Sequence, residues 1–116
     1  MDRRPTDLQL SKTLGNAKAL IRKREVRISD HGYDELSSDN LLAREIIEGA
    51  SEAVVVEDYP DYPKGPCVLV LQKDRAKQPI HVVWGIPKGH RGPAVLITAY
   101  RPDREIWEDD FLRRRK

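Results

Sequence analysis

After Gly49 the hydrophobic pattern changes from a helical to a two-residue period, and this change constrains the fold more than any other feature. Four apolar segments follow, "EAVVVEDY", "CVLVLQK", "PIHVVWGI" and "AVLITAYR", joined by "PDYPKGP", "DRAKQ" and "PKGHRGP". Such alternation marks strands, and connections this short and rich in turn formers suit hairpins. Parallel neighbours would need crossovers of about a dozen residues, so an antiparallel meander of four strands is expected. The middle two segments are apolar on both faces, which calls for helices on one side and partial cover on the other.

The first half reads as helical. Leu10, Leu14, Ala17 and Ile21 recur at helical spacing and predict an amphipathic helix over residues 7–23, with a basic outer face and Gly15 as its weak point. "EVRIS" suits a short strand or an extended lead-in. "DHGYDEL" predicts a brief helix capped by Ser29 or Asp30, with His31 in its first turn. "SSDNLLAREIIEGA" predicts another, with Ser38 as N-cap, Leu42 and Ile46 on one face and Gly49 as a left-handed stop. In the closing "PDREIWEDDFLRRRK", Trp107 and Phe111 stand at helical spacing and are expected to dock the tail on the sheet. The expected class is therefore α+β: N-terminal helices packed on a four-stranded antiparallel meander sheet, with a short C-terminal helix.

The chain has 116 residues, the size of a single domain. Residues 1–24 read as an N-terminal helical extension, 25–112 as the core and 113–116 as a basic tail. No apolar run approaches the roughly 18 residues of a membrane span. "MDRRPTDLQL" lacks an apolar signal region, so a cytoplasmic location is expected. Cys67 is the only cysteine, which excludes an internal disulfide and any Cys-pair zinc site. It reads as a small core residue. The 3 histidines fall in separate elements without metal-ligand spacing, so neither metal nor cofactor is expected.

Net charge is only +2, but it is segregated. Residues 1–28 hold 8 basic and 3 acidic side chains, residues 29–62 hold 1 and 10, and residues 63–116 hold 12 and 6. Basic ends of this kind attract phosphates, whereas the acidic middle repels them and suits a basic protein segment. The bland reading, that these are solvated faces, stands beside it.

"VRISDHGYDEL", "LLAREIIEGA", "VVVEDYPDYPKGPCVLVLQKD", "PIHVVWGI" and "VLITAYRPDREIWEDDFLRRR" together resemble the family catalogued as domain of unknown function 4258. The resemblance covers roughly residues 26–115, and the paired "PIHVV" and "ITAYRP" with a tryptophan soon after carry most of it. It implies similarity to the RelE and ParE toxins and to small metal-independent ribonucleases of helix-then-antiparallel-sheet layout. It therefore implies a toxin of a toxin–antitoxin pair, or a close relative, with RNA as substrate and a DNA-binding antitoxin as partner.

Metal-free RNA cleavage needs a base for the 2′-hydroxyl, an acid for the leaving 5′-oxygen and cations for the phosphate. The residues suited to these roles are His31, His81, Tyr100 and Arg101 for catalysis. Lys88 and Arg91 in the glycine-flanked turn, with Arg113, Arg114 and Arg115 in the tail, suit RNA binding. Taking the "PKGHRGP" turn as centred near Gly89 sets His81 opposite Thr98, on one face with Leu96 and Tyr100. A slip of one residue pairs it with Arg101 instead. Each residue has a structural reading too. His81 can be a buried imidazole bonded to backbone or to Tyr100, His31 a partner of a nearby acid such as Asp34, and His90 an exposed turn residue. Tyr100 can be an amphipathic core edge, and Arg101 can pair with Asp103 or Glu105. The rival function is a non-catalytic module that binds nucleic acid or protein.

Overall fold

The computed structural model describes residues 11–116. Helix α1 spans Lys12–Arg22, and the part of the expected helix before residue 11 lies outside the described residues. Ser11 caps it by accepting from the Leu14 N–H at 3.0 Å, and its hydroxyl donates to Asp58 at 2.9 Å. Strand β1 (Val26–Ile28) precedes α2 (Asp30–Ser38), where Ser29 Oγ accepts from the Gly32 N–H at 2.9 Å. Gly32 is needed there, because a Cβ would lie 2.8 Å from the Leu96 carbonyl on the sheet. Helix α3 (Ala43–Gly49) runs into a 3₁₀ turn at Ala50–Glu52. Strands β2 (Val54–Tyr59), β3 (Cys67–Lys73), β4 (Pro79–Gly85) and β5 (Ala94–Tyr100) complete the sheet.

The sheet corrects the expected four-stranded antiparallel meander. It has five strands in the order β1-β5-β4-β3-β2, and β1 runs parallel to β5 through Val26↔Ala94, Arg27↔Val95 and Ile28↔Leu96. The short-loop argument holds only for consecutive strands. Two helices and three strands separate β1 from β5, which is ample chain for a parallel return to the free edge of the meander.

The ends of the helical segments differ as well. Ser38 belongs to the last turn of α2 and donates to the Asp34 carbonyl. Left-handed Asn40 (φ 57°) turns the chain, and α3 starts beyond it with Leu42 at the cap position and no side-chain cap. Gly49 has φ −77°, so helical geometry continues through it into the 3₁₀ turn instead of stopping. The expected C-terminal helix is absent. Asp103 and Asp110 accept from the Glu105 and Leu112 N–H groups at 2.8 and 2.9 Å, offering the backbone turns in place of helix. Trp107 and Arg114 then form an antiparallel bridge around left-handed Phe111 (φ 60°).

Two apolar layers sandwich the sheet. On one face Leu14, Ala17 and Ile21 of α1, Leu36 of α2 and Ile46 of α3 pack on Val68, Val70, Ile80, Val82, Trp84 and Leu96. On the other, Trp107 and Phe111 pack on Leu69, with Val56, Leu71 and Val83 around them. The two aromatics thus dock the tail as expected, without a helix. Among the described residues no helix is long and apolar enough to cross a membrane.

Candidate active site

Alternation along β4 sends Ile80, Val82 and Trp84 to the helices and His81 and Val83 to the face beneath the C-terminal segment. The register places His81 opposite Tyr100 and Val83 opposite Thr98. An irregularity between Val83 and Trp84 sets Trp84 opposite Leu96, so Leu96 faces the helices and does not share a face with His81. The extra residue in β5 accounts for one of the two residues by which His81↔Tyr100 differs from the expected Thr98, and a turn centred on His90 instead of near Gly89 accounts for the other.

His81 has no exposed surface. Its Nε2 lies 2.7 Å from the Phe111 carbonyl oxygen, its Nδ1 3.3 Å from the Tyr100 hydroxyl, and its ring stands edge-on to Trp107 at 4.4 Å between centroids. A carbonyl only accepts, so Nε2 carries the proton and Nδ1 accepts from the tyrosine. Burial holds the imidazole below its ordinary pKa of 6.5, and the Phe111 bond, which favours the charged form, offsets this only in part. Burial likewise raises the Tyr100 phenol. The result is a neutral imidazole of fixed tautomer next to an un-ionised phenol.

Beside this pair lie residues that sequence reasoning missed. Glu57 on β2 accepts from Arg114 at 3.2 Å and from the Tyr59 hydroxyl at 2.7 Å. Desolvation pushes its carboxyl up, but the bonds from Arg114 and Tyr59 outweigh that and keep it below the usual range. The bond to Glu57 in turn pushes Tyr59 up to about 12. Arg114 also lies over Trp107, 4.6 Å from the ring centroid. The bulge at Val56 brings Glu57 opposite Leu69 and onto this face, and a charged residue at the end of "VVV" was the available signal.

The other sequence-predicted residues do not converge here. His31 is exposed on α2, 3.5 Å from Glu35, in the layer on the opposite face of the sheet. Arg101 forms a clasp, bonding Asp74 at 2.7 Å and the Pro79 carbonyl at 3.2 Å, while its backbone N–H donates to Asp39 at 2.8 Å. Its partners are therefore not Asp103 or Glu105. Lys88 and Arg91 are exposed in the β4–β5 turn, and the run of β4 puts Lys88 roughly 20 Å from His81 at about 3.3 Å per residue. Arg114 reaches the site, whereas Arg115 bonds the Arg104 carbonyl and Asp109. Arg113 is exposed, and its carbonyl accepts from the Glu108 N–H at 2.8 Å. Among the described residues no group of three or more His, Cys, Asp or Glu side chains is placed to hold a metal.

No curated protein and no solved structure matches the chain. Residues 28–101 match the family described as Domain of unknown function (DUF4258). The match takes in His31, His81, Tyr100 and Arg101 and ends before Trp107, Phe111 and Arg114. It covers more than half of the sequence, and the chain belongs to the DUF4258 family.

Proposed function

We propose that the chain is a small toxin-like protein that cleaves RNA without a metal, as the toxin partner of a DNA-binding antitoxin. The observation that carries this reading is the 3.3 Å approach of His81 Nδ1 and the Tyr100 hydroxyl on the helix-free face of the sheet. In the proposed reaction His81 takes the proton of the RNA 2′-hydroxyl as O2′ bonds to phosphorus. The P–O5′ bond breaks, and Tyr100 protonates the leaving oxygen. The imidazolium then returns its proton to the tyrosinate across their hydrogen bond, leaving a 2′,3′-cyclic phosphate and a 5′-hydroxyl. Reaching His81 requires residues 103–116, Arg114 among them, to lift from the sheet, so Arg114 meets charge on the phosphate only when the segment closes back over bound RNA.

A second reading, the non-catalytic binding module, is favoured by the complete burial of His81. The deciding experiment incubates the purified chain with single-stranded RNA in EDTA. Cyclic-phosphate products that disappear in His81→Ala and Tyr100→Phe support cleavage. Intact RNA in that assay, together with undisturbed growth and intact RNA on induced expression in a bacterial host, overturns it.

A further inference from the structure

The C-terminal segment covers only the half of its sheet face that holds His81. At the other half, beside the β4–β5 turn, a cleft of about 310 Å³ remains open. Its floor is Gly85, Val95 and Ile97. A Cβ at Gly85 would stand 2.6 Å from the Cδ1 end of Ile97, which would have to turn aside. Arg27 projects from β1 on the face opposite to Val26 and Ile28, which pack with the helices. Tyr62 and Lys64 come from the β2–β3 loop. That loop is tied to the hairpin by the Ile86 N–H donating to Pro66 O at 3.0 Å and the Lys88 N–H donating to Lys64 O at 3.1 Å.

Two features of the cleft have no structural explanation. Tyr62 is 51% exposed beside an apolar floor, and among the described residues neither Arg27 nor Lys64 has a carboxylate within ion-pair distance. An exposed aromatic ring between unpaired cations is the arrangement that binds single-stranded nucleic acid, the ring stacking a base and the cations meeting the flanking phosphates. We propose that this cleft is a base-binding subsite for single-stranded RNA. The proposal rests on the RNA-directed reading above and gives the substrate a path. Gly85 and His81 lie on one strand, about 13 Å apart at 3.3 Å per residue, so an extended RNA seated at Tyr62 runs along the face toward His81.

The test measures binding of a fluorescent single-stranded oligoribonucleotide, in EDTA and with a 2′-O-methyl group at each nucleotide so that no cleavage intervenes. Tyr62→Ala is expected to weaken binding about 10-fold or more, and Tyr62→Phe to retain it because the ring remains. Arg27→Ala and Lys64→Ala are each expected to flatten the salt dependence by about one phosphate contact. Tm values equal to that of the parent show that folding is unaffected. Unchanged affinity in Tyr62→Ala overturns the subsite, as does equal competition by an acidic peptide. The two readings fail separately. Tyr62-dependent binding without cleavage of unblocked RNA leaves the subsite standing and removes the ribonuclease. Cleavage with Tyr62-independent binding does the reverse.

Discussion

His81 donates through Nε2 to the carbonyl of Phe111 at 2.7 Å, a bond across 30 positions that ties a central strand to the end of the chain. Phe111 presents that carbonyl because its backbone is left-handed, at φ 60°, a conformation unusual for a bulky residue. The imidazole and the turn therefore hold one another in place.

Stability should accordingly fall as the solution becomes acidic. Burial keeps the His81 pKa in the folded protein below 6.5, so the unfolded chain binds the extra proton first. The stabilisation from neutral His81 is complete above the unfolded value and is lost as pH falls toward and through the folded one. Glu57 and Asp74 have lowered carboxyl pKa values and lose their contributions only at more acidic pH. Thermal melts from pH 7.5 to 5 should show Tm dropping below about pH 6.5, with the slope absent in His81→Gln. A flat profile in the parent would refute the assignment.

Removing Arg113–Lys116 should cost stability. The basic tail reads in sequence as exposed charge that contributes little to the fold. Arg114, however, stacks on Trp107 and pairs with Glu57, and the Arg115 N–H donates to Ile106 O at 2.7 Å. Because Arg114 is more than half exposed, its ion pair is worth only a few tenths of a kcal/mol, and the cation–π contact about as much again or somewhat more. With the lost bridge, a deletion should cost about 1–3 kcal/mol, which is several degrees in Tm for a domain of this size. An unchanged melt would return the tail to the role of a loose tether.

The strands and helices were legible because their signals are local: alternation, turn residues and caps. What escaped depends on distant partners. β1 has only three residues, and its parallel place beside β5 follows from which sheet edge remains free. The spacing of Trp107 and Phe111 identified two docking residues, yet the same spacing served a looped segment once Asp103 and Asp110 captured backbone N–H groups. His81 and Tyr100 could be paired as neighbours in a hairpin, although the bulge that sets their register leaves no mark in the pattern. The Phe111 carbonyl could not be found from sequence, since every residue carries one.

Arg101 distinguishes a catalytic from a positioning role. Its guanidinium meets Asp74, whose side chain is only 9% exposed. Desolvation raises that carboxyl, but bonds from the Gln78 backbone and from Arg101 outweigh it and leave the pKa lowered. Arg101→Ala should therefore reduce Tm while leaving any RNA cleavage per folded molecule unchanged. Adding Asp74→Asn should recover part of the loss, because the uncompensated charge is then gone. A selective fall in cleavage at unchanged Tm would instead put Arg101 at the reacting phosphate.

The largest single-residue effect is expected at Gln72, a buried polar side chain in β3 that faces the helices. Its Oε1 accepts from Trp84 Nε1 at 2.8 Å, and its Nε2 donates to the Ile46 carbonyl at 2.8 Å. The Ala50 N–H turns to Ile47 instead, so the end of α3 depends on the Gln72 amide to satisfy the Ile46 carbonyl. Gln72→Leu keeps much of the volume but strips both partners at once, leaving a buried indole N–H and a helix-end carbonyl unpaired. The expected cost is about 2–6 kcal/mol, from roughly 1–3 for each of the two unsatisfied groups. Denaturant unfolding measures it, and Trp84→Phe in the Gln72→Leu background should restore a measurable share by removing one orphaned donor. If the double variant is as unstable as the sum of the two single changes, the Gln72 amide and the Trp84 indole are not coupled.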